Sequence, residues 1–343
     1  MQTVHLGDSD VAAITALVDE LATRHQTVET AAFHQEAKLL SEELPRGLRR
    51  ALHEYRLAEP TGTLVVSGLP VADGDLGPTP GDWRHQPTPP TTLRPDISFF
   101  LLGCVLGEPI AWATQQDGRI MHDVFPIKGF EHDQIGWGSE EDLTWHTEDA
   151  FHPLRTDYLG LMCLRNPDDV ETTIGEIADA EFTPEIRAEL FREQFHILPD
   201  DSHRPKNAAG SASLDSGRVA ELKARSLARV DAALAEPRPV PVLFGDPEAP
   251  YVCFDPHYMR GAQGEHQQRV LDEAAAEIDK IMTGVVLQPG DVVFVDNYRV
   301  VHGRKPFKAR FDGTDRWLRR LNIARDLRKS RDSRLDATSR VIY

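Results

Sequence analysis

Cysteine, basic charge and long apolar runs are all scarce in this sequence, and each shortage removes a class of answer. There are three cysteines, Cys104, Cys163 and Cys253. They lie far apart in apolar surroundings with no CxxC pair, which disfavours both a disulfide framework and a cysteine-built zinc centre; buried thiols are expected instead. Lys and Arg number 38 against 55 Asp and Glu, a formal charge of −17. Such a field repels a phosphate backbone or an anionic lipid surface, so no nucleic acid and no membrane partner is expected, and a cationic small molecule is better matched. The longest apolar run, around 97–106, is far shorter than a membrane span, and Met1 to Val4 carries no leader pattern. The reducing cytoplasm is the expected compartment. Hydrophobic residues make up 40% of the 343, enough for a sizeable core, and one domain over 1–343 is expected.

Along the chain, Asp8-Ser9-Asp10 caps a run in which Val11, Ile14, Leu17, Val18 and Leu21 recur at helical spacing. A second helical stretch covers 37–55 with a break near Pro45, so residues 1–60 read as helical support for a sheet. Residues 63–68 read as a short strand ending in a turn, and 77–95, crowded with proline and glycine, as a long surface connection. A buried helix is expected over 96–106 and strands over 120–127 and 158–164. Helical patterns at 184–194, 216–235 and 268–282 read as elements packed outside the sheet, the region of about 175–240 forming a helical insertion. Pro289-Gly290-Asp291 supplies a turn, 292–295 a buried strand, and Asp296-Asn297 a hairpin turn, which would leave His302 just beyond a strand pair at the edge of the sheet. The basic segment 316–328 is interleaved with Trp317, Leu318, Leu321 and Ile323, the pattern of a strand with alternating faces plus a basic tail.

The chain's chemistry centres on Trp145-His146-Thr147-Glu148-Asp149-Ala150-Phe151. In a strand, His146 and Glu148 would project from one face. With His302 brought alongside, the three would form a 2-His-1-carboxylate facial triad, the Fe(II) set of non-haem oxygenases. Spacing alone is weak, because among 14 histidines His122, His132 and His266 also neighbour an acid. A triad leaves three metal positions for a keto acid and O₂, and the keto acid's far carboxylate then needs a cation. Arg316 and Arg320 share a face by the two-residue period, and each offers a planar donor fork suited to a carboxylate. The polar loop 129–143, with Gln134, Ile135 and Gly136 near its middle, precedes the motif and is a candidate lid.

These segments, in order with Asp157-Tyr158-Leu159-Gly160-Leu161, Leu164-Arg165-Asn166-Pro167, Pro289-Gly290-Asp291, Val301-His302-Gly303-Arg304 and Asp315-Arg316-Trp317-Leu318-Arg319-Arg320, resemble the clavaminate synthase-like Fe(II)/2-oxoglutarate dioxygenases. Within them the chain is most similar to the free amino-acid hydroxylases of peptide-antibiotic pathways, the arginine β-hydroxylases above all. The likeness runs from about Leu44 to Arg328. It implies a mainly β fold with flanking helices and a double-stranded β-helix (jelly-roll, cupin-like) core, with Fe(II) on His146, Glu148 and His302. It implies 2-oxoglutarate held by Arg316 with Thr172 or Thr173, O₂ as co-oxidant, and a free amino acid as the small-molecule partner. Substrate contacts implied are Gln115 and Glu148 to the ammonium, Arg320 to the carboxylate, and Asp200, Ser202 and Asp255 to the side chain. The arginine hydroxylases carry acid-x-acid where this chain has Asp255-Pro256-His257, so His257 replaces one acceptor. The implied reaction is hydroxylation, at Cβ, of arginine or an arginine derivative such as enduracididine, with lysine or citrulline (C3 or C4) as alternatives. A noncatalytic jelly-roll amino-acid-binding protein is the rival of a different class.

Overall fold

The long strands alternate between two apolar environments, and the computed structural model, described over residues 1–85, 87–199, 217–262 and 264–343, shows what each side faces. One sheet runs in the order β1 (Gln2–His5), β2 (Thr63–Ser67), β14 (Val292–Asp296), β6 (Tyr158–Arg165), β16 (Trp317–Ala324), β3 (Glu108–Trp112) and β17 (Val341–Ile342), with β4 (Met121–Val124) also pairing β16. A smaller sheet runs β13 (Thr283–Val285), β7 (Thr172–Glu176), β15 (Val300–Arg304) and β5 (Leu143–His146). Among the described residues the pairings are antiparallel except β1 with β2 and β17 with β3.

The two sheets face each other across an interior built from Leu159, Leu161, Cys163, Val293, Val295 and Leu318 of the large sheet and Ile174 and Val300 of the small one. The intervening residues, such as Met162, Val292, Phe294 and Leu321, point the other way into a helical layer. This is the jelly roll that the family resemblance implied, its faces sorted by the two-residue period. The outer layer centres on α5 (Leu93–Leu106), buried all round from Pro95 to Leu106 and covered in turn by α1 (Asp8–Arg24), α2 (Ala31–Leu40) and α3 (Arg46–Ala58). Gly160 admits the helix at close range, since a Cβ there would meet the Phe99 ring at 2.8 Å. A short α4 (Asp73–Leu76) opens the connection to α5.

On the far side of the small sheet lie α6 (Pro184–Leu190), a three-stranded sheet of β8 (Phe195–Ile197), β9 (Pro239–Val240) and β12 (Met259–Gly261), the hairpin of β10 (Leu243–Asp246) and β11 (Ala249–Val252), and α8 (Glu265–Ile281). Their apolar residues form a second cluster around Phe195, Phe254, Leu271 and Ile278. The more exposed α7 (Arg218–Ala235) buries Leu222 and Val230 and is tied to the C-terminal segment, where Arg229 Nη1 donates to Ser333 Oγ (2.9 Å). The 175–240 insertion is thus helical only in part, because it contributes strands as well. No helix among the described residues is long and apolar enough to cross a membrane.

The break expected near Pro45 is present: the stretch 37–55 is two helices, α2 and α3, separated by a short turn at Ser41–Glu43 and by Pro45, which cannot continue a helix. Two other sequence expectations change. The 77–95 connection is not wholly superficial: Trp83 is buried against Trp137, ring centroids 6.3 Å apart. Finally, β14 and β15 are not a hairpin. Residues 297–299 carry the chain from the large sheet to the small one, so His302 lies within β15, between β5 and β7, rather than beyond a strand pair.

Candidate active site

His146 and His302 are direct cross-strand partners on β5 and β15, their ring centroids 4.6 Å apart. Gly303 permits this pairing, since a Cβ there would lie 2.4 Å from the Leu143 carbonyl oxygen. The strand ends at His146, yet Glu148 stays on the same side because its backbone is pinned. Glu148 N donates to Asn297 Oδ1 (2.8 Å), while Asn297 Nδ2 donates to the carbonyls of Glu148 (3.0 Å) and Thr156 (2.9 Å). Thr147 N donates to the Phe254 carbonyl (2.8 Å), and Phe254 N returns to Thr147 Oγ1 (3.0 Å). Glu148 Oε2 therefore sits 3.6 Å from His146 Nε2 and 3.4 Å from His302 Nε2.

One ligand atom from each of these residues lies within 4.8 Å of the others, and no other such group of three occurs among the described residues. That donor set suits a divalent iron, with two imidazoles and one carboxylate on a single side. His146 Nδ1 lies 2.8 Å from the Thr144 carbonyl, so it carries the proton and leaves the Nε2 lone pair turned to the site. Burial opposes the charge on Glu148, but Arg320, His146 and His302 together hold its carboxyl well below the usual range. Burial lowers both imidazoles, and His302 stays below its ordinary value; Glu148 and Asp255 lift His146 to about 9.

The cavity in front of these residues is also lined by Gln115, Gln134, Ile135, Gly136, Thr172, Asp255, His257, Arg304, Arg316 and Arg320. Among the described residues Arg316 is buried and faces no carboxylate: its Nη2 donates to Thr172 Oγ1 (3.1 Å), and its Nε is enclosed without a partner there. Burial and the neighbouring Arg304 push Arg316 down to about 10, which leaves it charged at neutral pH. A buried, unneutralised guanidinium with an unused donor is a fitted receptor for a carboxylate. Arg320 is engaged on three sides. Its Nη1 donates to Glu148 Oε1 (2.7 Å), and its Nη2 reaches Gln115 Oε1 (2.9 Å) and His122 Nδ1 (2.7 Å). Asp255 Oδ1 caps a turn by accepting from the backbone of His257 (2.9 Å) and Tyr258 (3.0 Å), which fixes a negative charge on the cavity wall.

Of the two threonines expected near the keto acid, only Thr172 lines the cavity; Thr173, its neighbour on β7, does not. Asp200 and Ser202 lie outside the described residues. Four residues beside the site escaped the sequence reading. By sequence Asn297 reads as a turn residue, and His122 as one of several histidines that neighbour an acid. Asp149, with a left-handed φ of +49°, and Arg304, whose guanidinium donates to the Ser139 (3.2 Å) and Glu141 (3.3 Å) carbonyls of the 129–143 loop, had no signal beyond their place in the motifs.

Comparison with known proteins agrees with this architecture. The model for the taurine catabolism dioxygenase TauD, TfdA family matches residues 102–322. The chain is 64% identical to enduracididine beta-hydroxylase of Streptomyces hygroscopicus over 343 residues, covering 100% of both chains. It is 42% identical to L-ornithine/L-arginine 3-hydroxylase of Catenulispora acidiphila, again over 100% of each. The crystal structure of the non-haem iron oxygenase OrfP with Fe, succinate and (3S)-hydroxy-L-Arg superposes with a TM-score of 0.91 at 38% identity, covering 99% of each chain. The family match spans Gln115, His146, Glu148, His302 and Arg316, and on that ground this chain belongs to the TauD, TfdA family of dioxygenases.

Proposed function

We propose that this protein is an Fe(II)/2-oxoglutarate-dependent hydroxylase that oxidises a free L-amino acid carrying a guanidine, L-enduracididine, at Cβ. The observation that carries the reading is the pairing of a buried His146, Glu148 and His302 cluster with Arg316, an unneutralised buried cation on the same cavity. Identity of 64% along the full length to an enduracididine beta-hydroxylase supports the substrate. When bound, Fe(II) and 2-oxoglutarate supply the oxidant: the keto acid loses CO₂ to become succinate, and each of succinate and substrate receives one oxygen atom of O₂.

The chain's own residues bind and aim. His146, Glu148 and His302 hold the metal from one side, and Asn297 keeps Glu148 in reach. Arg316 and Thr172 receive the far carboxylate of the keto acid, with Arg304 adding positive charge nearby. Arg320 offers its guanidinium to the substrate carboxylate, and Gln115 offers its carbonyl oxygen to the ammonium. Anchoring both groups on Cα leaves Cβ as the next carbon toward the iron, and such positioning decides which hydrogen is taken. The carboxylate of Asp255, on the cavity wall, attracts the guanidinium end. The segment containing Gln134, Ile135 and Gly136 closes over the bound amino acid as a lid.

The test is anaerobic addition of Fe(II) and 2-oxoglutarate, expected to give the weak visible charge-transfer band of the chelate, followed by O₂ with L-enduracididine. One oxygen gained per succinate released is the expected result. A folded sample without the band would overturn the enzyme reading in favour of an amino-acid-binding protein, and oxygen gain on L-arginine, L-lysine or L-citrulline alone would overturn the substrate.

A further inference from the structure

Asp149 follows Glu148 directly, and its backbone is held in the left-handed region at φ +49°, which is costly for a residue with a side chain. Its carboxylate is buried, with 4% of the residue exposed. One oxygen, Oδ2, accepts the indole N–H of Trp112, and the other, Oδ1, accepts from Gln115 Nε2 at 3.2 Å. Trp112 is fixed in turn at the end of β3, its ring 4.2 Å from that of His152. On the opposite side of the same amide, Gln115 Oε1 accepts from Arg320 Nη2 at 2.9 Å.

The Gln115 amide therefore lies between a group that only accepts and a group that only donates, and a single orientation satisfies both. Its NH₂ must face Asp149 and its carbonyl oxygen must face Arg320 and the cavity. A glutamine free to turn over would present its NH₂ to the cavity half of the time and would repel an ammonium. Only a carboxylate can impose the order, because Trp112 is a donor and Gln115 Nε2 is a donor, so the residue between them must accept twice.

We infer that Asp149 is a positioning residue that sets Gln115 as a hydrogen-bond acceptor and so gives the site its selectivity for an α-ammonium group. This rests on the reading above in which Gln115 meets the substrate ammonium. The substitution D149N keeps the size and tolerates the left-handed backbone, but removes one acceptor. The asparagine carbonyl is claimed by Trp112, its NH₂ is turned on Gln115, and the Gln115 amide is driven over. A carboxylate at 115 has no wrong orientation, so adding Q115E to D149N restores an acceptor toward the cavity.

The measurement is anaerobic calorimetric titration of the Fe(II)–2-oxoglutarate holoenzyme with L-enduracididine and with its analogue lacking the α-amino group. The wild type should prefer the amino acid. D149N should weaken L-enduracididine about tenfold or more, the scale of a charge-assisted hydrogen bond, while leaving the des-amino analogue within about twofold. The D149N/Q115E double variant should regain most of the preference. Equal weakening of both ligands by D149N, or no rescue by Q115E, would mean that Asp149 merely supports the backbone and would overturn the inference. A wild type without preference, or a Q115A variant that keeps it, would instead overturn the assignment of Gln115 to the ammonium. Loss of preference in Q115A with D149N unaffected would remove Asp149 alone.

Discussion

Strand β16 sends Arg319 to the helical side of the large sheet, while Arg316, just before the strand, faces the interior; the two guanidinium groups are equally buried, at 3% and 5% exposure, and opposite in how they are satisfied. Arg319 is held by Asp96 through Nε (2.8 Å) and Nη2 (3.0 Å) and by Asp123 through Nη1, with Trp317 Nε1 also on Asp123 (2.8 Å). Burial would lower its pKa, but these carboxylates raise it above the ordinary arginine value. Arg316 faces only Thr172 and drops to about 10. A charge neutralised inside the protein belongs to the fold, and one left open at a cavity awaits a ligand.

The contrast breaks most visibly at Arg319. R319L strands two buried carboxylates and should cost on the order of 3–5 kcal/mol in urea unfolding, with the catalytic rate of the remaining folded enzyme little changed. Adding D96N and D123N should recover much of the loss; a triple variant as unstable as R319L would show that the arginine acts through packing. Histidines repeat the contrast between the two sides. His34, in the helical layer, stacks on Phe100 and hydrogen-bonds the Val28 carbonyl at 2.8 Å through Nε2, and burial lowers its pKa from 6.5 to about 4. The unfolded chain binds this proton first, so stability should be full above about pH 6.5 and fall as the pH drops toward 4, by about 3 kcal/mol at most. An H34Q variant should show a shallower decline over that window, and an unchanged slope would acquit His34. On the open side, R316Q should lower kcat/KM for 2-oxoglutarate by about a hundredfold or more, roughly 2.7 kcal/mol, with no loss of melting temperature. A collapse of stability like that of R319L would erase the distinction.

Much of this was legible where chemistry and strand period coincide. Arg316 and Arg320, four apart at the start of an alternating strand, needed only the rule that every second residue shares a face; His146 and Glu148 two apart pointed to the right pair, although β5 ends at His146 and the contacts of Asn297 and Phe254 keep Glu148 on that side. What was illegible depends on partners far along the chain. Asp296-Asn297 signals a turn, and there is one, but a turn signal does not say which sheet the next strand joins. The amide of Asn297 spends its hydrogen bonds on Glu148, 149 residues earlier. His122 resembled the other histidines beside acids until the fold set it 2.7 Å from Arg320. Position 149 gave no reason to expect a left-handed backbone, because the contacts of its carboxylate that help to compensate for it reach Trp112 and Gln115, 37 and 34 residues earlier.

The threonine pair offers the finest cut between the two sides. Sequence resemblance left Thr172 and Thr173 equivalent, and β7 separates them: Thr172 turns toward Arg316, while Thr173 lies off the cavity, opposite Gly303 on β15. Among the described residues the Thr172 hydroxyl is the one side-chain acceptor for Arg316, so it fixes the fork that receives the keto acid. T172V keeps the shape but removes that acceptor. It should raise KM for 2-oxoglutarate severalfold, about 1 kcal/mol, with T172S nearly normal. T173V should leave KM within about twofold, since a hydroxyl off the cavity touches neither the cation nor its ligand. Equal effects at both positions would mean that the strand's facing, rather than the hydroxyl, controls the site, and the division between the sides of the sheet would lose its sharpest instance.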